Sequence, residues 1–345
     1  MKKIIKIWAV SLAAFALVFT ACQKDTVDED SLNQNDDIII NMNKLGSRTV
    51  VTDSEILDAI KSLDIDVGIV SEGDFFLPNG TVEQRIYIGS DIVYTKKELK
   101  KLVDAHLVGQ KQYRTFNLVS ENNQTINVLG YTGGSQALSN KARTALTRAV
   151  ANYNNINNMT LDFNLTFGTN YQAADMVVYD NSVNNPNGTG GVAGFPNSSG
   201  QPNKFVQIYG IEQFSTNVNE HVITHEIGHS IGFRHSDWFD RLSCPASSQG
   251  NEGSGSDGAV HVEGTPTGRD VTSVMQACFS TSVSGNFNNN DVTALEAMYP
   301  ASTGPCDGVS EWQSGRSYSI GSRVTYFGNL YERVSGGWTF IGPCN

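Results

Sequence analysis

Residues 225–235 read His-Glu-Ile-Gly-His-Ser-Ile-Gly-Phe-Arg-His, and this string leaves the surrounding chain little freedom. His225 and His229 are four apart, so a helix sets them on one face, one turn apart. Glu226 then projects from a different side of that helix. Gly232 follows soon after His229, and a glycine there can take the positive φ that a side chain resists. The chain can leave the helix, turn sharply and bring His235 back beside the first two imidazoles.

Three neutral imidazoles converging on one point suit Zn²⁺, which binds histidine nitrogen at about 2.0–2.1 Å. The ligands read from this spacing are His225, His229 and His235, with the fourth position left to water. Zinc lowers the pKa of such a water to roughly 7, so Glu226 can act as general base and carry the proton to a leaving amine. A single histidine is more often an ordinary core residue. The five fixed positions together arise by chance on the order of once in 10⁵ chains. His221, one turn before His225, is read as structural.

The string matches the metzincin signature, H-E-x-x-H-x-x-G-x-x-H followed by a Met-turn. Ser273-Val274-Met275 is the Met-turn candidate, and the resemblance implies that Met275 floors the metal. Phe287–Tyr299 resembles the clan's C-terminal helix, with Asp291 near its start. Gly190–Pro196 resembles the edge strand over the cleft. This implies an extended substrate bonded through its backbone along Gly191, Val192, Ala193 and Gly194. Ser236 is similar to the residue found there in matrix metalloproteases, and Ala277 excludes the astacin tyrosine ligand. The whole block, with Gly264–Gly268, most resembles the bacterial dual-action, matrixin-like peptidases. The implied function is a zinc endopeptidase acting on extracellular proteins or peptides. Calcium is a further cofactor the clan resemblance allows, although no loop has a defined calcium-ligand spacing. The rival reading, a catalytically silent surface lipoprotein that binds glycan or protein, needs a broken catalytic residue, and Glu226 is intact.

Lys2, Lys3 and Lys6 precede an apolar run from Ile7 to Phe19, the pattern of a signal peptide over residues 1–21. Thr20-Ala21-Cys22 resembles a bacterial lipobox, which implies lipidation of Cys22 and an exported lipoprotein of the outer membrane or cell surface. Residues 22–37 are polar and acidic and read as a flexible tether. The net charge of −11 disfavours nucleic acid and anionic membrane as partners, so membrane attachment is expected through lipid alone, and the protein is expected to be a monomer. Cys244, Cys278, Cys306 and Cys344 remain, and four cysteines allow three pairings. Cys244–Cys278 and Cys306–Cys344 are favoured, because each closes a loop inside one module of an exported chain.

Residues 38–112 carry helical patterns from Ser54 and over Lys96–Val103, with extended segments at Phe75–Leu77 and Ile86–Val93. Their place between signal and metal motif suits a pro-segment, with a constitutive N-terminal domain as the alternative. No cysteine lies between Gln23 and Tyr113, so a cysteine switch is excluded. Asp74 and Asp91 sit in glycine-containing extended contexts. Each is expected to be a surface residue, with an aspartate plug on the metal as the alternative. Residues 113–300 read as an α+β, metzincin-like catalytic domain with a twisted mixed sheet, an active-site helix and a C-terminal helix. Strands are expected at Phe116–Leu118 and Thr125–Leu129 about a turn at Glu121–Asn123, then at Leu161–Leu165, Met176–Tyr179 and Phe205–Ile208. A helix capped by Ser139 runs to about Asn154. Residues 301–305 form a linker. Residues 306–345 resemble a small β-rich, chitin-binding-type module through Trp312, Tyr318, Tyr326, Tyr331 and Trp338. The stretch between Tyr331 and Trp338 is shorter than in that type. The module is therefore read either as a surface-glycan binder or as a tail stapled by its disulfide.

Overall fold

The computed structural model describes residues 39–40, 48–104, 113–254, 258–301, 304–306 and 309–344. The expected signal peptide, the lipidation candidate Cys22 and the expected tether lie outside the described residues. Among the described residues no helix is long and apolar enough to cross a membrane.

The first part builds a small sheet of its own. Its elements are β1 (Ile39–Ile40), β2 (Thr49–Val50), α1 (Ser54–Ser62), β3 (Val70–Phe76), β4 (Val82–Ile88), β5 (Ile92–Thr95) and α2 (Lys96–Asp104). β2 to β5 form an antiparallel meander in chain order. Asp53 caps α1 by accepting from the backbone of Glu55 and Ile56. Ile56 and Ile60, one turn apart, bury with Leu63, Ile86, Ile88, Ile92 and Leu99 in a core separate from the main one.

The second part follows as β6 (Tyr113–Arg114), β7 (Thr125–Tyr131), α3 (Asn140–Asn154), β8 (Asp162–Gly168), β9 (Met176–Asp180), β10 (Gly190–Val192), β11 (Phe205–Tyr209), α4 (Thr216–Ser230), β12 (Val260–His261), β13 (Phe279–Ser280) and α5 (Asn289–Met298). The main sheet has the order β10-β11-β9-β7-β8, parallel throughout except for the antiparallel edge strand β10. This is the mixed sheet of the expected α+β fold. Ser139 caps α3, whose buried face is Ala142, Ala145, Leu146, Ala149, Val150 and Tyr153. α3 and α4 enclose the core with Ile126, Val128, Met176, Val178, Val206 and Ile208 from the sheet.

Phe116–Leu118 does not form the expected strand. Its neighbours bond to three different places: Thr115 N–H to Gly232 O, Val119 N–H to the Tyr299 hydroxyl, and Ser120 N–H to Gly200 O. A backbone tied to scattered partners cannot keep a ladder. Glu121–Asn123 is accordingly a short 3₁₀ turn rather than a hairpin tip.

Both favoured disulfides are present, Cys244–Cys278 and Cys306–Cys344. The C-terminal residues form β14 (Arg323–Tyr326), β15 (Asn329–Val334) and β16 (Gly337–Pro343), an antiparallel three-stranded sheet. Val324 and Leu330 bury beneath it, while Phe327 and Phe340 stay exposed.

The two sheets meet at the edge strand. Ala193 N–H donates to Asp91 O at 2.9 Å, and Val93 N–H donates to Ala193 O at 3.1 Å. The pairing of Ile92 with Ala193 is parallel. Around it Phe75, Tyr87, Val93, Val192 and Tyr209 form one buried cluster. Burying such side chains contributes about 1.5–3 kcal/mol each, against about 0.5–1.5 kcal/mol net for each hydrogen bond. The apolar contacts therefore dominate the junction, and the two bonds set its register. At the other end, β1 pairs with β13, Ile40 opposite Phe279.

Candidate active site

Ser215 caps α4 by accepting from Val218 N–H, and the helix is buried from Val218 to its end. It carries His225 and His229 on one face. After Ser230 the chain leaves the helix through Gly232, at φ +99°, where a Cβ would stand 2.7 Å from Thr115 Oγ1. The left-handed backbone turns the chain so that Phe233 N–H bonds Gly228 O at 2.8 Å and His235 returns to the first two histidines.

The Nε2 atoms of His225 and His229 each lie 3.1 Å from that of His235. The other ring nitrogens are taken. His225 Nδ1 is 2.8 Å from Val274 O, His229 Nδ1 is 2.8 Å from Phe233 O, and His235 Nδ1 is 2.6 Å from Glu252 Oε1. Each acceptor fixes Nδ1 as the donor, so in the neutral rings three Nε2 lone pairs face one another. Mutually facing lone pairs in a dry interior are unfavourable unless a cation sits among them. The donor set thus fits a divalent metal.

A fourth group completes the cluster. Asp91 Oδ2 lies 3.0 Å from His235 Nε2 and 3.5 Å from His225 Nε2, with all three side chains fully buried. One ligand atom from each of Asp91, His225, His229 and His235 falls within 4.8 Å of every other. Beyond these imidazoles neither Asp91 oxygen has a hydrogen-bond partner, so the buried carboxylate needs positive charge among the rings. Asp74 is exposed, as expected, but Asp91 is not the surface residue its context suggested. Gly89 and Ser90 form the turn that drives it inward, and Arg48 Nη1 holds Ser90 O at 3.2 Å. Asp91 is thus the fourth of the buried groups that could share one ion, in the place where the spacing alone left room for water.

Burial works to raise the Asp91 carboxyl, but His235, His225 and Arg241 outweigh it and hold it well below the ordinary carboxylate range. Burial depresses His235, yet Asp91 and Glu252 on either side push it up to about 9. Burial and the neighbouring His225 and His235 take His229 the opposite way, well below the usual range. A metal held by these rings would take the place of the His235 proton.

Glu226 is fully buried beside the cluster, with both carboxylate oxygens unpartnered. Burial first, then the charge of Asp91, raises its pKa well above the ordinary value. It packs against Gly191, where a Cβ would stand 2.6 Å from Glu226 Cγ. Gly191 O accepts from the Tyr209 hydroxyl at 2.8 Å, Val192 joins the junction cluster, and Ala193 bonds the strand of Asp91. Gly194 lies against Val93 O. The strand expected to take substrate thus lines the site, and the chain's own residues 91–93 lie along it.

Met275 is buried against Gly228. Its N–H bonds Ser273 Oγ at 3.0 Å, and Ser236 N–H bonds Met275 O at 2.8 Å. Asp291 of α5 accepts from Ser273 Oγ and Val274 N–H, tying the turn to the C-terminal helix. His221 packs on Phe279 with ring centroids 4.1 Å apart, which suits its structural reading. Glu252 and Arg241 also belong to the site and were not found from sequence. They stand in a Ser-, Asn- and Gly-rich stretch with no periodicity, and nothing local marks them.

Among solved structures, two of myroilysin are similar to this chain. Both share 13% identity and cover 52% of it, spanning 84% and 81% of their own chains, with TM-scores of 0.34 and 0.31. No curated protein matches. The model of the dual-action HEIGH metallo-peptidases matches residues 86–299, from the strand before Asp91 to the end of the C-terminal helix. The match covers well over half of the chain, so this protein belongs to the dual-action HEIGH metallo-peptidase family.

Proposed function

We propose that this chain is the latent form of an exported zinc endopeptidase, with His225, His229 and His235 holding the metal and Asp91 as its removable fourth ligand. The observation that carries this reading is the set of three Nε2 atoms that face one another while every Nδ1 is engaged. Asp91, fully buried against them with no hydrogen-bond partner beyond these imidazoles, supports the latent state.

When bound, zinc polarises a scissile carbonyl and lowers the pKa of an attacking water. The remaining work falls to the chain. Once residues 91–93 have left, Gly191–Gly194 offers a free edge that an extended peptide can bond by its backbone. Glu226 stands beside that edge and beside the histidines, placed to take the proton of the water and to return it to the leaving amine. Gly191 gives the Glu226 carboxylate the room it needs. The carbonyl of Val274 keeps His225 in its tautomer and place. A cavity of about 420 Å³, lined by His221, Thr272, Gln276 and Phe279 among others, lies one helical turn from His225 and is our choice for a substrate side chain.

Export and lipid attachment at Cys22 rest on the N-terminal pattern, and two disulfides support an oxidising compartment. The exposed Phe327 and Phe340 of the C-terminal sheet support glycan contact. The test is hydrolysis of a casein-type substrate by the trimmed enzyme, with and without a chelator, beside Glu226→Gln. Chelator-sensitive cleavage that Glu226→Gln abolishes is expected. Cleavage untouched by the chelator, or full activity of Glu226→Gln, refutes the mechanism.

A further inference from the structure

We infer that Glu252 is a positioning residue of the metal site, one that fixes the tautomer and aim of His235 and strengthens it as a donor. The inference rests on the zinc reading above. His225 and His229 sit on α4 and give their Nδ1 protons to backbone carbonyls at 2.8 Å. His235 lies beyond the helix, on a loop, and its Nδ1 meets a carboxylate, Glu252 Oε1, at 2.6 Å. Glu252 is only 2% exposed.

A carboxylate so deep is costly unless charge and hydrogen bonds meet it. Arg241 Nη1 bonds the same Oε1, and Arg234 Nη2 lies 3.7 Å from Oε2. Arg241 is itself pinned by Ser248 O at 3.2 Å, and Arg234 by Gly258 O at 2.9 Å. The Glu252 N–H donates to Trp238 O at 2.9 Å, so the backbone of the carboxylate is held as well. The acceptor facing His235 is therefore rigid. A charged acceptor draws the imidazole proton more strongly than a carbonyl does and leaves more electron density on Nε2. The one histidine of the three that no helix orients thus receives the strongest orienting partner.

The rival account makes Glu252 only a staple for its loop through Arg241. That account predicts lost stability but unchanged metal affinity in whatever folds. The experiment measures zinc affinity of the full chain by competition with a chromophoric chelator, for the wild type and Glu252→Gln. It also records the visible spectrum of both with cobalt in place of zinc. Glu252→Gln is expected to bind zinc about 10–100-fold more weakly, with displaced cobalt bands. A folded Glu252→Gln with wild-type affinity and an unchanged cobalt spectrum overturns the inference. Should that variant fail to fold, the ring N–H protons of the zinc-loaded, ¹⁵N-labelled wild type decide. The His235 Nδ1 proton is expected downfield of those of His225 and His229, and coincidence of the three overturns the inference. A wild-type chain that takes up no zinc instead sinks the zinc reading itself.

Discussion

Asp91 Oδ2 lies 3.0 Å from His235 Nε2, and no solvent reaches either side chain. Under the proposed latency, Asp91→Ala in the uncleaved chain is expected to loosen the closed state. Cleavage of a fluorogenic peptide is expected to rise at least roughly tenfold over the uncleaved wild type, the factor that about 1.4 kcal/mol of lost closure gives. It is expected to stay below the trimmed enzyme, because the Val93–Ala193 bonds and the apolar junction remain. An uncleaved wild type already as active as the trimmed form contradicts the plug.

Gly191→Ala puts a methyl group 2.6 Å from Glu226 Cγ and 2.7 Å from its Oε1. The carboxylate must move, and a misplacement near 1 Å costs on the order of 10²-fold in rate. The trimmed variant should lose about that much kcat/KM while retaining its zinc. Unaltered turnover would show that Glu226 does not need its present place.

The two disulfides should separate by consequence. Cys244–Cys278 spans 34 residues beside the Met-turn, and its loss, as Cys244→Ser with Cys278→Ser, is expected to cost about 3–4 kcal/mol of stability. Cys306→Ser with Cys344→Ser touches only the C-terminal sheet and should leave peptide hydrolysis intact. Equal loss of hydrolysis in both pairs is the contrary result, read from urea midpoints and initial rates.

Asp291 makes stability depend on pH. Burial raises its pKa from 3.8 to about 6, against the hydrogen bonds from Ser273, Val274 and Asn288. Because the folded value lies above the unfolded one, its contribution is complete below 3.8 and is lost as pH rises through about 6. The stability of the wild type relative to Asp291→Asn should fall by on the order of 3 kcal/mol between those limits and neutrality. A relative stability that grows with pH means the hydrogen bonds prevail over burial.

Much of this was legible because the signals are local. Ser139 before a three-and-four apolar spacing places α3, and the histidine string places α4 and its turn. The cysteine pairs follow from which loops lie within one module. Phe116–Leu118 was misread because alternation is blind to where backbone bonds go, and here they go to Gly232, Tyr299 and Gly200. Asp91 was visible only as an aspartate after Gly89-Ser90. Its burial depends on β5 pairing with Ala193, a contact about a hundred residues away. Glu252 reaches His235 through a loop whose path no periodicity records.

β5 closes a four-stranded sheet with a core of its own, and β1 reaches β13 on the far wall. A single break in the chain between α2 and β6 therefore cuts one covalent link and, among the described residues, leaves the contacts that hold the strand in place. Under the proposed latency, the severed piece is expected to act as a stoichiometric inhibitor in trans, so that the enzyme free after the first cut depends on dilution and on the inhibitor's dissociation constant. On that reading full release is expected to need a second event that destroys the small sheet itself, and until then added fragment should silence enzyme that had already been freed.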